Sequence, residues 1–146
     1  MDVLGKVYYP IQFSSKKIFY HPKFEDDLRN LIEKSGFEGK FKPLFKQRLY
    51  FLEGRMEKCT QKSDWFEKLR NAHDLFAIRF NKKNKNIRII FTFTDSSKKQ
   101  IVVLLCNFEE KDKKDYSKAI DLATKRRAEM LRGFCIKGEK EGKKDG

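Results

Sequence analysis

Arg79, Arg88, Lys111 and Tyr116 are the residues of this chain whose types and order could do chemistry. Arginine forks grip phosphate through two N–H groups, lysine adds point charge, and a phenol can take or give a proton. Such a set can cleave RNA without a metal, by activating a ribose 2′-hydroxyl against its neighbouring phosphate. That reaction needs a base, an acid and positive charge for a phosphorane-like transition state. Tyr116 would act as the base if nearby lysines lower its pKa, and Lys111, Lys113 or Lys114 would supply that field or protonate the leaving oxygen. A tyrosine at the start of a helical pattern also suits plain packing over the edge of a core, and spacing leaves both readings open.

The charge pattern points the same way. Lys and Arg number 34 against 21 Asp and Glu, a formal charge of +13 on 146 residues. Seven basic residues lie between Arg79 and Gln100 (Arg79, Lys82, Lys83, Lys85, Arg88, Lys98 and Lys99) against the single acid Asp95. From Glu109 to Gly146, by contrast, twelve bases meet nine acids. The excess is therefore local, which favours a polyanionic partner over charge that merely solubilises. A phosphate backbone and an acidic peptide fit it equally. His21 and His73 lie far apart without a second ligand at useful spacing, and no glycine-rich phosphate loop occurs. Neither a metal nor a nucleotide cofactor is expected.

These residues need elements to position them. The stretch 17–21 is β-prone, and a helix follows from Pro22 to Gly36 with Phe24, Leu28, Leu31 and Ile32 on one stripe. A second helix is expected from near Pro43, with Phe45, Leu49, Leu52 and Met56 inward and a basic outer face of Lys46, Arg48, Arg55 and Lys58. "DWFEKL" reads as one helical turn capped by Asp64, with Trp65 and Phe66 as core anchors. From Leu75 the period becomes two in "LFAIRF", "NIRIIFTFTD" and "QIVVLLCNF", an antiparallel meander whose last strand is apolar on both faces and so interior. Arg79 and Arg88 alternate with apolar neighbours and are expected on a shared or adjacent exposed face. "SKAIDLATKRRAEML" carries Ala119, Ile120, Ala123, Arg127 and Met130 at helical spacing, a final helix packed on the sheet.

The result is an α+β single domain over 1–136, with an antiparallel sheet of about four strands, an N-terminal helical pair and a C-terminal helix. Residues 1–16 form an N-terminal extension or edge strand, and 137–146 a charged tail too poor in apolar groups to order itself. Three widely spaced cysteines and no signal or membrane segment suggest a cytoplasmic protein.

In order, the helical hairpin, Lys68 and Leu69, then Leu75, Phe76, Ile78 and Arg79, then Arg88, Phe91 and Phe93, then Val102 to Leu105 with Phe108, form a series. Lys111, Lys113 and Lys114 and a helix with Ile120, Ala123 and Arg126 or Arg127 complete it. This series resembles the RelE/HigB-like toxins of bacterial type II toxin–antitoxin pairs, in their phage-derived branch. The resemblance implies a RelE/ParE-like fold and a ribosome-dependent mRNA endonuclease that inhibits translation and is neutralised by a cognate antitoxin. It implies that Arg79 and Arg88 contact or stabilise phosphate and that the Lys111–Lys114 turn grips RNA; the local charge excess adds Lys82, Lys83, Lys85, Lys98 and Lys99 as RNA-binding candidates. Tyr116 stands where such toxins commonly carry proline, so its role rests on this chain alone. Related alternatives are a ParE-like toxin that blocks a protein target such as gyrase, and a non-catalytic basic module for RNA or peptide. The oligomeric state is not readable from sequence.

Overall fold

Phe24, Leu28 and Ile32 recur at helical spacing behind the acids Glu25, Asp26 and Asp27, and they form the buried stripe of α1 (Phe24–Ser35). The helix stops at Gly36, whose φ of 69° is free of Cβ strain. In the computed structural model, which describes residues 3–70, 72–82, 85–133 and 135–136, α2 spans Glu38–Arg55. It begins five residues before Pro43 and holds that proline inside its second turn. Phe41, Phe45, Leu49 and Leu52 face inward.

Arg48 is a correction to the expected basic outer face, because it too is buried. Its guanidinium carbon lies 4.3 Å from the Trp65 ring centroid, and burial pulls its pKa down to about 10. Stacking on indole lets this weakly hydrated cation leave water, which a lysine would do poorly.

The main sheet has five strands in the order β2-β6-β5-β4-β3. These are β2 (Ile18–Tyr20), β3 (Phe66–Lys68), β4 (Phe76–Lys82), β5 (Lys85–Ser96) and β6 (Lys99–Glu109). Two features differ from the sequence expectation. The stretch around Phe66 is a strand paired antiparallel with β4, preceded by a 3₁₀ turn over Met56–Gln61, and not a helical turn. Phe66 points into the core while Glu67 points to the opposite face, a period of two too short to see in three residues. In addition β2 runs parallel to β6, so the sheet is mixed.

One face of the sheet carries Phe66, Ile78, Phe80, Ile87, Ile89, Phe91, Val102 and Leu104, packed with α1 and α2. The other carries Ala77, Ile90, Ile101, Val103 and Leu105 under α3 (Lys113–Leu131), which buries Ala119, Ala123, Arg126 and Met130. Helices on both sides explain why β6 reads as continuously apolar. A register shift between Ile90 and Phe91 interrupts the β5–β6 ladder, with Cys106 opposite Ile90 and Leu104 opposite Phe91. The extra residue, Leu105, turns Cys106 and Phe108 onto the α3 face and sends Asn107 to the other, where its Nδ2 donates to the Phe24 carbonyl at 3.3 Å.

The N-terminal stretch is an ordered arm. Its strand β1 (Val3–Leu4) pairs in parallel with β7 (Cys135–Ile136), Gly5 bridges to Tyr20, and Val7, Tyr9 and Phe13 join the core. Cys59 and Cys106 are buried free thiols. The expected tail at 137–146 lies outside the described residues. Among the described residues no helix is long and apolar enough to cross a membrane, and no cluster of three or more His, Cys, Asp or Glu could hold a metal ion.

Candidate functional site

Arg79 of β4 and Arg88 of β5 are direct cross-strand partners. Equal charges at such positions repel by up to roughly 1 kcal/mol, so an arrangement of this kind calls for compensation nearby. Two carboxylates provide it. Glu67 Oε1 on β3 lies 3.0 Å from Arg79 Nη2, and Glu110 Oε1, just past β6, lies 3.1 Å from Arg88 Nε. Asn81, two residues along β4 and so on the same face, accepts from Arg88 Nη1 at 2.9 Å.

Both arginines nevertheless keep a buried Nε without an aligned hydrogen-bond acceptor among the described residues. The Glu110 oxygen is close enough to Arg88 for attraction but not placed along its Nε–H. A buried donor without an acceptor costs about 1–3 kcal/mol, so this corner is electrostatically unfinished.

The alternation in sequence puts Arg88 on an exposed face, and here the structure differs: it is only 8 % exposed. Phe108 is its cross-strand partner on β6 and meets the Tyr116 ring edge to face at a centroid distance of 5.0 Å. Arg79 stays about one-third exposed and is the more accessible fork. Its backbone is fixed on both sides, since its N–H donates to the Trp65 carbonyl at 2.7 Å and its carbonyl accepts from Arg48 Nε at 3.1 Å.

Tyr116 reaches this pair from the first turn of α3. The helix opens with a complete capping box in which Asp112 accepts from the Lys114 N–H at 2.7 Å, and Asp115 accepts from the N–H groups of Lys111 and Asp112 at 2.7 and 3.0 Å. The acids that interleave with the lysines are thus the helix cap. One residue after Asp115, the Tyr116 hydroxyl donates to Glu67 Oε1 at 3.3 Å. One carboxylate oxygen therefore joins Arg79 to Tyr116.

The phenol's pKa is not lowered by lysines. Burial pushes it well up, the Glu67 and Glu110 charges add to the rise, and Arg88 opposes them. A phenol held protonated is a hydrogen-bond and proton donor, so the base role that sequence suggests for it does not suit its surroundings.

Lys111, Lys113 and Lys114 are exposed on the turn into α3, at the same end of the sheet as Arg88. Lys82 and Lys85 pair at the end of the β4–β5 hairpin, also on that side, whereas Lys83 lies outside the described residues. Lys98 and Lys99 sit elsewhere. Lys98 lies in the β5–β6 turn and Lys99 opens β6, about ten residues along the hairpin from Arg88 and so roughly 33 Å away. The expected basic patch is thus split between two ends of the sheet.

Glu67, Glu110, Asn81 and Phe108 are site residues that sequence reasoning missed. Asn81 could have been found from its spacing to Arg79. The others depend on an unseen strand, a strand's end and a bulge.

Compared with known proteins, residues 39–128 match the family profile described as "Phage derived protein Gp49-like (DUF891)". The match covers more than half of the chain, from the start of α2 to the last turns of α3, and includes every residue of the site. No curated protein and no solved structure matches.

Proposed function

The chain belongs to the phage-derived Gp49-like family, which is associated with toxin–antitoxin pairs, and from that premise we propose that it is the toxin of such a pair, acting as a metal-independent mRNA endonuclease on the ribosome. The observation that carries this reading is the Arg79–Arg88 pair, in register on one face with Tyr116 above it and with donors left unfilled. Two forked cations side by side suit the equatorial oxygens of a phosphoryl transition state, where preorganised charge contributes most. Basic residues at the same end (Lys85, Lys111, Lys113 and Lys114) would track the flanking phosphates. A cognate antitoxin would cover this face, and mRNA in the ribosome would be the substrate.

The test is induced expression in a bacterium. Growth should stop and translated messages should shorten, while Arg88→Ala and Arg79→Ala, shown to be folded by circular dichroism, should relieve both effects. DNA damage preceding any loss of translation would instead identify a toxin that blocks a protein target such as gyrase. Unimpaired growth with wild-type protein would remove the toxin reading altogether.

A further inference from the structure

We propose that Glu67 is the general base of this site and Tyr116 its general acid, the two forming a proton-sharing couple. The inference rests on the nuclease reading above and names residues for it. Glu67 Oε1 stands 3.0 Å from Arg79 Nη2 and 3.3 Å from the Tyr116 hydroxyl. Glu110, the other carboxylate of the site, pairs with Arg88 at 3.1 Å and acts on Tyr116 through its charge, while the hydrogen bond of the Tyr116 hydroxyl goes to Glu67.

The backbone holds Glu67 from two directions. Its strand residue is the cross-strand partner of Ala77, whose methyl group leaves room above β4, and Phe66 anchors the strand in the core beneath. The side chain itself stays about one-third exposed, so a substrate can reach it. The groups that face it are Arg79 from β4 and Tyr116 from α3, with Arg88 of β5 and Glu110 after β6 close behind.

A phosphate arriving at Arg79 competes with Glu67 for the same guanidinium. Displaced from Arg79, the carboxylate is free to turn to the ribose hydroxyl beside the bound phosphate. The chemistry then balances without a further reagent. The 2′-hydroxyl gives its proton to Glu67 and its oxygen forms a bond to phosphorus. The bond from phosphorus to the 5′-oxygen breaks with its electron pair on that oxygen, which takes the proton of Tyr116. The products are a 2′,3′-cyclic phosphate and a 5′-hydroxyl end. Glu67 then returns its proton to the phenolate along the hydrogen bond that joins them, which resets both groups. Burial leaves Tyr116 a weaker acid than a free phenol, but it remains more acidic than the alcohol that leaves, so the transfer to the departing alkoxide still runs downhill.

The test uses purified full-length protein and ribosomes programmed with a defined message, under single-turnover conditions. Wild type should cleave, with a rate that rises with pH at its acidic limb. Glu67→Gln should lose about 10²–10⁴-fold in rate together with that limb. Glu67→Asp should recover part of the rate, and formate should rescue Glu67→Ala in a concentration-dependent way. Melting curves establish that each variant is folded, and Glu110→Gln serves as the comparison. Absence of cleavage by wild type would defeat the nuclease reading itself. Cleavage by wild type with Glu67→Gln within about threefold, or with the acidic limb intact in Glu67→Gln, would overturn the Glu67 assignment and leave that reading standing. Loss of the limb in Glu110→Gln alone would overturn it too, in favour of the other carboxylate.

Discussion

Arg79 and Arg88 occupy opposite positions of the β4–β5 ladder, so two guanidinium groups stand together on the sheet face that α3 only partly covers. Nothing in the stability of the fold asks for this. A buried ion pair is often no better for stability than an apolar side chain of similar volume.

Arg88→Met combined with Glu110→Gln, so that no carboxylate is left without its cation, should accordingly leave the melting temperature unchanged or higher, while abolishing growth arrest. Calorimetry and a growth assay on the same variant read the two effects separately. A large drop in melting temperature would mean that Arg88 is a structural cation.

Tyr116→Phe removes the hydrogen bond to Glu67 yet keeps the ring against Phe108. Its melting temperature should stay within a few degrees of wild type, and its cleavage rate should fall by at least about tenfold. If toxicity and rate are both untouched, the tyrosine only packs.

Asp112 caps α3 and thereby sets where Tyr116 stands. Asp112→Ala should cost about 1 kcal/mol of stability. Amide exchange should quicken in the first turn of α3 without spreading to β5 and β6, and activity should drop because the phenol is less well placed.

The split of the lysines has its own consequence. Substituting Lys111, Lys113 and Lys114 by alanine should weaken RNA binding and flatten its salt dependence by about one slope unit for each phosphate no longer neutralised. The double substitution of Lys98 and Lys99, at the far end of the sheet, should change neither. Equal effects from the two sets would mean that the bound RNA runs the length of the hairpin.

His21 is buried, with Nδ1 accepting from the Lys23 N–H at 3.2 Å and Nε2 3.3 Å from Glu129 Oε1. Burial and the nearby Arg126 charge lower its pKa, only partly opposed by Glu129. The unfolded chain therefore binds the proton more readily. Its stabilisation is full above the ordinary histidine value of about 6.5 and is lost as the pH falls through the lower folded value. Urea midpoints measured from pH 7 down to 5 should decline in wild type and decline less steeply in His21→Gln.

Much of the fold is legible in the chain. The stripe of Phe24, Leu28 and Ile32 places α1, the alternation around Arg79 and Arg88 places β4 and β5, and the unbroken apolar run of β6 requires cover on both faces. Local periodicity carries these because each is long enough to show its period and each side chain faces one uniform environment. The strand at Phe66–Lys68 is not legible because three residues are too few to separate a period of two from a helical turn. Nor is the burial of Arg48, because a basic residue on a helix normally faces water, and only Trp65, brought from seventeen residues away, makes that burial tolerable.

The sequence by itself pointed to a basic stretch of sheet with Arg79 and Arg88 on a shared or adjacent face, and to Tyr116 at the start of the last helix. Only the tertiary structure decided which proton chemistry these residues can support. The hydrogen bond between Glu67 and Tyr116 spans 49 residues. It depends on β3 lying beside β4, on the extra residue that turns Phe108 toward α3, and on the cap that starts that helix at Asp112. None of these leaves a periodic trace, because each is a single residue's displacement, settled by how separately formed elements pack.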